Sequence, residues 1–109
     1  MTTALSRDID RPYRLPDDAV AAFREHGFVH LKDVLPRDAL DHYGREITRL
    51  TIALNTQTSP IEERSTYDRA FLQVMNLWRE SDVVRDFVFG QTLARIAAAL
   101  LAVDGVRLY

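Results

Sequence analysis

The 109-residue chain has no cysteine, which removes disulfide frameworks and thiolate metal sites from consideration. It has no basic block or stripe either. Its 14 basic and 16 acidic residues are spread along the chain and leave a formal charge of −2. Nucleic-acid binding, which needs a concentrated positive footprint, has no support in that distribution. Long apolar runs are also missing. The longest, IAAALLAV at 96–103, is far shorter than the roughly 20 residues that span a bilayer. The opening stretch MTTALSRDIDRPYR shows neither an apolar signal core nor a lipidation motif. The expectation is a cytoplasmic protein without membrane or nucleic-acid partners.

Catalytic signatures are equally scarce. The sequence contains no His-Glu-x-x-His, no glycine-rich phosphate loop and no Gly-x-Ser-x-Gly elbow. No His-x-Asp or His-x-Glu pair occurs, so the paired part of a facial iron triad is missing. His26 and His30 are four apart, but Gly27 lies between them and reads as a helix stop, which sends the two side chains in different directions. His26, His30 and His42 therefore read as separate solvated or hydrogen-bonded histidines, not as a metal site.

What is present is a helix-rich pattern with 47% apolar and 28% charged residues, the balance of an ordinary folded domain. Residues 1–14 are polar and contain Pro12, which suggests a flexible arm. A short helix is predicted at 17–26, where Pro16, Asp17 and Asp18 suit the first turn and Gly27 the stop. A longer helix is predicted at 36–54, where Leu40, Tyr43, Ile47, Leu50 and Leu54 recur in steps of three and four. Gly44 costs roughly 1 kcal/mol against Ala inside such a helix, which suggests close packing there. Residues 55–66 lose all periodicity and read as a polar loop.

Further helices are predicted at 82–89, with Ser81 as N-cap and Gly90 as stop, and at 91–102, with a buried stripe of Leu93, Ile96, Ala97, Leu100 and Leu101. Short strands are expected at 28–32 and 106–109, the second after an Asp104-Gly105 turn. The expected core is Phe23, Phe28, Leu40, Tyr43, Ile47, Leu50, Phe71, Trp78, Phe87, Leu93, Ile96 and Leu100. The chain is thus read as mainly α, a helical layer with two short strands.

Residues 67–78 (YDRAFLQVMNLW) are the densest in large apolar side chains. Read as a helix, they place Gln73 and Asn76 on one face. The two amides could hydrogen-bond a substrate or cofactor in a pocket walled by Phe71, Met75 and Trp78. They could equally satisfy nearby backbone groups, the commoner use of a buried amide. Gln73, Asn76 and Trp78 are the candidate pocket residues, and no catalytic, cofactor or metal residue is assigned.

Three stretches together form a familiar order: LPDDAVAAFREHGFVHLKDVL, a long amphipathic helix, and FLQVMNLWRESDVVRDFVFGQTLARIAAALLAVDGVRLY. This order resembles the N-terminal part of the phytanoyl-CoA dioxygenase family, over residues 15–109. The family consists of iron(II)- and 2-oxoglutarate-dependent oxygenases built on a jelly roll, the double-stranded β-helix. The resemblance implies that the strand opening at 106–109 runs on into that jelly roll. It implies that the His-x-Asp pair, the distal His and the Arg that grips 2-oxoglutarate come later, so the chain is expected to be truncated before its metal-binding strands. The implied activity is hydroxylation of a small organic molecule by the full-length protein. The alternative is a stand-alone, non-catalytic helical interaction module.

Overall fold

The structure is a computed structural model and describes residues 8–109. It is mainly helical. Among the described residues five α-helices of at least five residues follow one another: α1 (Ala19–His26), α2 (Arg37–Leu54), α3 (Thr66–Ala70), α4 (Asp82–Val88) and α5 (Gln91–Leu101). Single 3-10 turns occupy Ile61–Glu63 and Leu77–Arg79.

Local chemistry explains most helix ends. Gly27 takes the left-handed conformation at φ 80°, and its N–H donates to the Phe23 carbonyl at 2.8 Å, closing α1. Ser81 caps α4, its Oγ accepting from Val84 N at 3.3 Å. Gly90 has no side chain with which to cap α5. The cap comes from 81 residues upstream, where Asp10 Oδ1 accepts from Gln91 N at 2.9 Å. At the other end of α5, Ala102 adopts φ 56° and Val103 N donates to Ala98 O at 3.0 Å. That is the six-to-one closure of a Schellman stop, made here without glycine.

Residues 8–14 differ from the flexible arm expected at 1–14; residues 1–7 lie outside the described residues. Ile9 is buried and joins Ala39 and Tyr43 of α2 in a core completed by Leu35, Val83 and Phe87. The Ile9 carbonyl accepts from Thr92 N at 2.9 Å, and the Arg11 carbonyl accepts from the Thr92 hydroxyl. Arg95 donates to the Asp10 carbonyl at 3.3 Å, and the Tyr13 hydroxyl to the Lys32 carbonyl at 2.7 Å. The segment is a strap across the start of α5. Gly90 permits the approach, because a Cβ there would sit 2.9 Å from the Ile9 carbonyl oxygen.

The two expected strands are not formed; among the described residues there is no β-strand. Residues 28–32 and 106–109 find no ladder partner, and two isolated segments of this length do not make a stable sheet. Phe28, in the first of them, is 70% exposed. The helix considered for 67–78 is short: α3 ends at Ala70, and Phe71 at φ −131°, ψ 133° turns the chain into extended backbone.

The core is smaller than expected and differently composed. Tyr43, Leu50 and Ile96 are buried, and Phe23, Ile47, Trp78, Phe87 and Leu100 are half-buried. Phe28, Leu40, Phe71 and Leu93 are exposed, a correction to the expected core. Small or polar side chains take their place: Ala19, Ala39, Val84 and Thr92 are buried together with Ile9. On α5 the inward line is Thr92, Ile96 and Leu100. Leu93 and Ala97 face a groove along the segment 104–108 instead.

Candidate functional site

The aromatic segment is organised by α3 and by the turn that follows it. Ser65 caps α3 through its Oγ, which accepts from Asp68 N at 3.1 Å. One turn places the Tyr67 and Phe71 rings 4.9 Å apart. The Tyr67 hydroxyl then donates to Gln73 Oε1 at 2.7 Å. Gln73 is exposed and sits on the rim of a hollow of about 210 Å³ that it shares with Asn55, Gln57, Asp68 and Phe71.

Asn76 is elsewhere. It stands at φ 59°, ψ 38°, immediately before the 3-10 turn, and its carbonyl accepts from Arg79 N at 3.0 Å. Its side chain makes no capping bond. Asn is among the few side chains that tolerate this left-handed geometry, which accounts for the residue type locally. Because 71–76 is extended, Gln73 and Asn76 do not share a helical face. Met75 is 79% exposed and does not line the hollow beside Gln73.

Trp78 is the best-embedded of the three candidates. It is half-buried against Phe89, edge to face at 5.8 Å between ring centres. The Arg79 guanidinium lies 5.2 Å from its ring centre and that of Arg85 lies 5.9 Å away. Arg85 also lies 5.5 Å from the Phe89 ring. The indole Nε1–H is shielded from solvent and has no acceptor among the described residues. The structure thus separates the candidates into a Tyr67–Gln73 pair, a turn residue and an arginine-flanked indole.

A second polar cluster joins α2 to α4. Glu46 Oε1 accepts from Arg49 Nε at 2.7 Å, and Glu46 Oε2 accepts from the Ser81 hydroxyl at 2.7 Å. The Arg49 bond, then the Ser81 bond, hold the Glu46 carboxyl down at about 2, well below the usual carboxylate range. Arg49 is raised in return. Ser81 therefore caps α4 and ties it to α2 with the same oxygen. Sequence reasoning identified Ser81 as a cap but missed Glu46. The i,i+3 spacing of Glu46 and Arg49 was the available signal; the link to Ser81, 35 residues on, had none.

The histidines stay apart. His26 is 3.8 Å from Glu25, His42 packs edge-on against Tyr43 at 4.9 Å, and His30 is exposed on the segment between α1 and α2. Among the described residues no three His, Asp or Glu side chains are grouped to hold a metal ion. The described donors, scattered in this way, do not form an iron site. No described helix is long and apolar enough to cross a membrane.

A groove of about 490 Å³ runs between α5 and residues 104–108, walled on its apolar side by Val88, Phe89, Leu93, Ala97, Val106 and Leu108. No protein-family model matches the chain, and no curated protein or solved structure matches it.

Proposed function

We propose that the chain is the N-terminal helical layer of a phytanoyl-CoA dioxygenase-like oxygenase, dependent on iron(II) and 2-oxoglutarate. In this reading the layer covers a jelly roll and helps wall the pocket of a small organic substrate. The metal and 2-oxoglutarate ligands lie outside residues 1–109, and this stretch alone is inactive. The protein works in the cytoplasm without nucleic acid or membrane partners.

One observation carries the reading beside the sequence pattern: the molecule is a thin slab with apolar residues left uncovered. It measures 47 × 40 × 24 Å with a radius of gyration of 16.7 Å. A compact domain of this length has a radius of gyration of about 13 Å. Leu101, Val103, Val106 and Leu108 are all exposed, as are Phe28 and Phe89. Stable domains bury such faces between two packed layers, and here one layer is visible. A jelly roll is the partner layer that the sequence resemblance supplies.

A second reading, the stand-alone interaction module, is favoured by the long-range bonds from Ile9, Asp10 and Arg11 to the start of α5. These tie the layer together without help from a second one. Two measurements separate the readings. The gene is read past codon 109, and any longer product is assayed for succinate formation from 2-oxoglutarate with iron(II). The oxygenase reading expects a His-x-Asp or His-x-Glu pair within a few dozen codons and iron-dependent turnover. A stop codon, together with a cooperative melt of the 109-residue chain, would overturn it in favour of the module.

A further inference from the structure

Two guanidinium groups converge on one indole without a counter-charge. Arg79 and Arg85 both lie within 6 Å of the Trp78 ring centre, at 5.2 and 5.9 Å. Both side chains are exposed, and neither forms an ion pair among the described residues. Glu80, Asp82 and Asp86 are close in sequence, yet none of them reaches either guanidinium. Several other arginines are engaged, Arg37 with Asp41, Arg49 with Glu46, and Arg69 with the Ile61 and Glu62 carbonyls; Arg24 and Arg107 are unpaired too among the described residues, but neither stacks on an aromatic ring.

Three features hold this arrangement. Arg79 ends the 3-10 turn that Asn76 opens, so the left-handed Asn76 aims that arm of the site. Arg85 stands on α4, whose first turn Ser81 fixes to Glu46 of α2. Phe89 backs the indole and gives Arg85 a second aromatic face. Stacking on aromatic rings holds a guanidinium's plane while leaving its N–H edge free to donate. Two cations held against one indole without a carboxylate partner favour an anion nearby, and a planar guanidinium matches carboxylate or phosphate oxygens two at a time.

We propose that Arg79, Arg85 and Trp78 form a binding site for the oxyanion group, carboxylate or phosphate, of a small molecule. The site stands whether or not the chain is part of an oxygenase. The two arginines supply the charge and the paired donors, and the indole supplies the platform that spaces them.

Trp78 is the single tryptophan of the chain, so its emission reports on this site alone. The full 109-residue chain is titrated with inorganic phosphate and, separately, with acetate, against sodium chloride at matched ionic strength. The expected result is a saturable emission change with phosphate or acetate and none with chloride; whichever probe binds more tightly identifies the group preferred. Arg79→Gln and Arg85→Gln are each expected to weaken binding at least tenfold with the helical circular dichroism unchanged. Arg79→Lys and Arg85→Lys keep the charge but lose the fork, and are expected to fall between. Should a glutamine variant unfold, its lysine counterpart decides: affinity equal to the parent overturns the guanidinium site. No saturable change with either anion, or the same change with chloride, overturns the proposal outright.

Discussion

Residues 51–80 and the rest of the described chain follow different rules. The stretch 51–80 holds Tyr67, Phe71, Leu72 and Met75, the richest run of large side chains in the molecule, and not one of its residues is buried. The buried residues lie outside it, and several are small: Ala19, Ala39, Val84 and Thr92 alongside Ile9, Tyr43, Leu50 and Ile96. What distinguishes the two regions is cross-linking, not hydrophobicity. The strap at 9–11 and the Glu46–Ser81 bond bring distant segments together, and side chains at those crossings are sealed. In 51–80 the side-chain hydrogen bonds stay within eight residues, as in Tyr67 to Gln73 and Arg69 to Ile61. Apolar density in a sequence marks surface that wants covering; it does not say that the same chain covers it.

The most direct way to break this comparison is to delete one large ring from each region. Tyr43 is 3% exposed and packs on Phe87 at 5.2 Å; Phe71 is 54% exposed. Tyr43→Ala is expected to lose about 3–5 kcal/mol of unfolding free energy in a urea titration, the range for large aromatic truncations in cores. Phe71→Ala is expected to lose less than about 0.5 kcal/mol, as exposed positions do. Equal losses would mean that 51–80 is packed after all.

Glycine offers a finer version of the test. At Gly90 an added Cβ meets the Ile9 and Phe87 carbonyl oxygens at 2.9 and 3.1 Å. Both are backbone atoms, so the strap or the end of α4 must shift, and Gly90→Ala is expected to cost about 1–3 kcal/mol. At Gly44 a Cβ meets no described atom within 4 Å. The close packing that the sequence suggested for Gly44 is not formed, and Gly44→Ala is expected to stabilise the chain by about 1 kcal/mol through helix propensity alone. A loss at Gly44 instead would reveal a neighbour on that face.

The helices were legible because their signals are local. Ser81, Gly27 and the steps of three and four in 36–54 mark α4, α1 and α2 to within a residue or two of the observed bounds. The strap was not legible, because DID at 8–10 reads as polar chain until α5 is placed beside it. The strands failed for the same reason in reverse: a strand exists only with a partner, and Val29 or Val106 carries no information about one. At the candidate site Trp78 was readable as a large residue in an aromatic run. The convergence of Arg79 and Arg85 on it depends on a 3-10 turn and a helix start, which no periodicity announces. Gln73 and Asn76 were linked by assuming a helix where the chain is extended.

The Glu46 cluster predicts how acid separates the two regions. The folded carboxyl sits at about 2 against an ordinary value of 4.5, so the folded state binds the proton less readily than the unfolded one. Its contribution to stability is therefore complete above about pH 4.5 and is lost as the pH falls toward 2. Glu46→Gln is expected to flatten the pH dependence of the melting temperature across that window, because its bonds tie α2 to α4 outside the open region. An unaltered profile in Glu46→Gln would show that the Arg49 and Ser81 bonds do not persist in solution.

The smallest expected effects fall on Gln73 and Asn76, and their value lies in telling two roles apart. Gln73 is exposed and its Oε1 accepts a hydrogen bond from a tyrosine hydroxyl that is itself exposed, so water replaces the bond readily when it is lost. Gln73→Leu is expected to change stability by less than about 0.5 kcal/mol. Asn76 makes no side-chain cap, and its importance is the left-handed backbone. Asn76→Gly is expected to keep stability within about 0.5 kcal/mol, because glycine reaches that conformation freely, whereas Asn76→Leu pays about 1 kcal/mol of strain. If a longer oxygenase is in hand, the same variants are compared at saturating 2-oxoglutarate. A fall of about tenfold in kcat/KM for the organic substrate at unchanged melting temperature, an effect near 1.4 kcal/mol, would place that amide at the substrate. Loss of stability and turnover in step would leave Gln73 and Asn76 as structural residues of the open region.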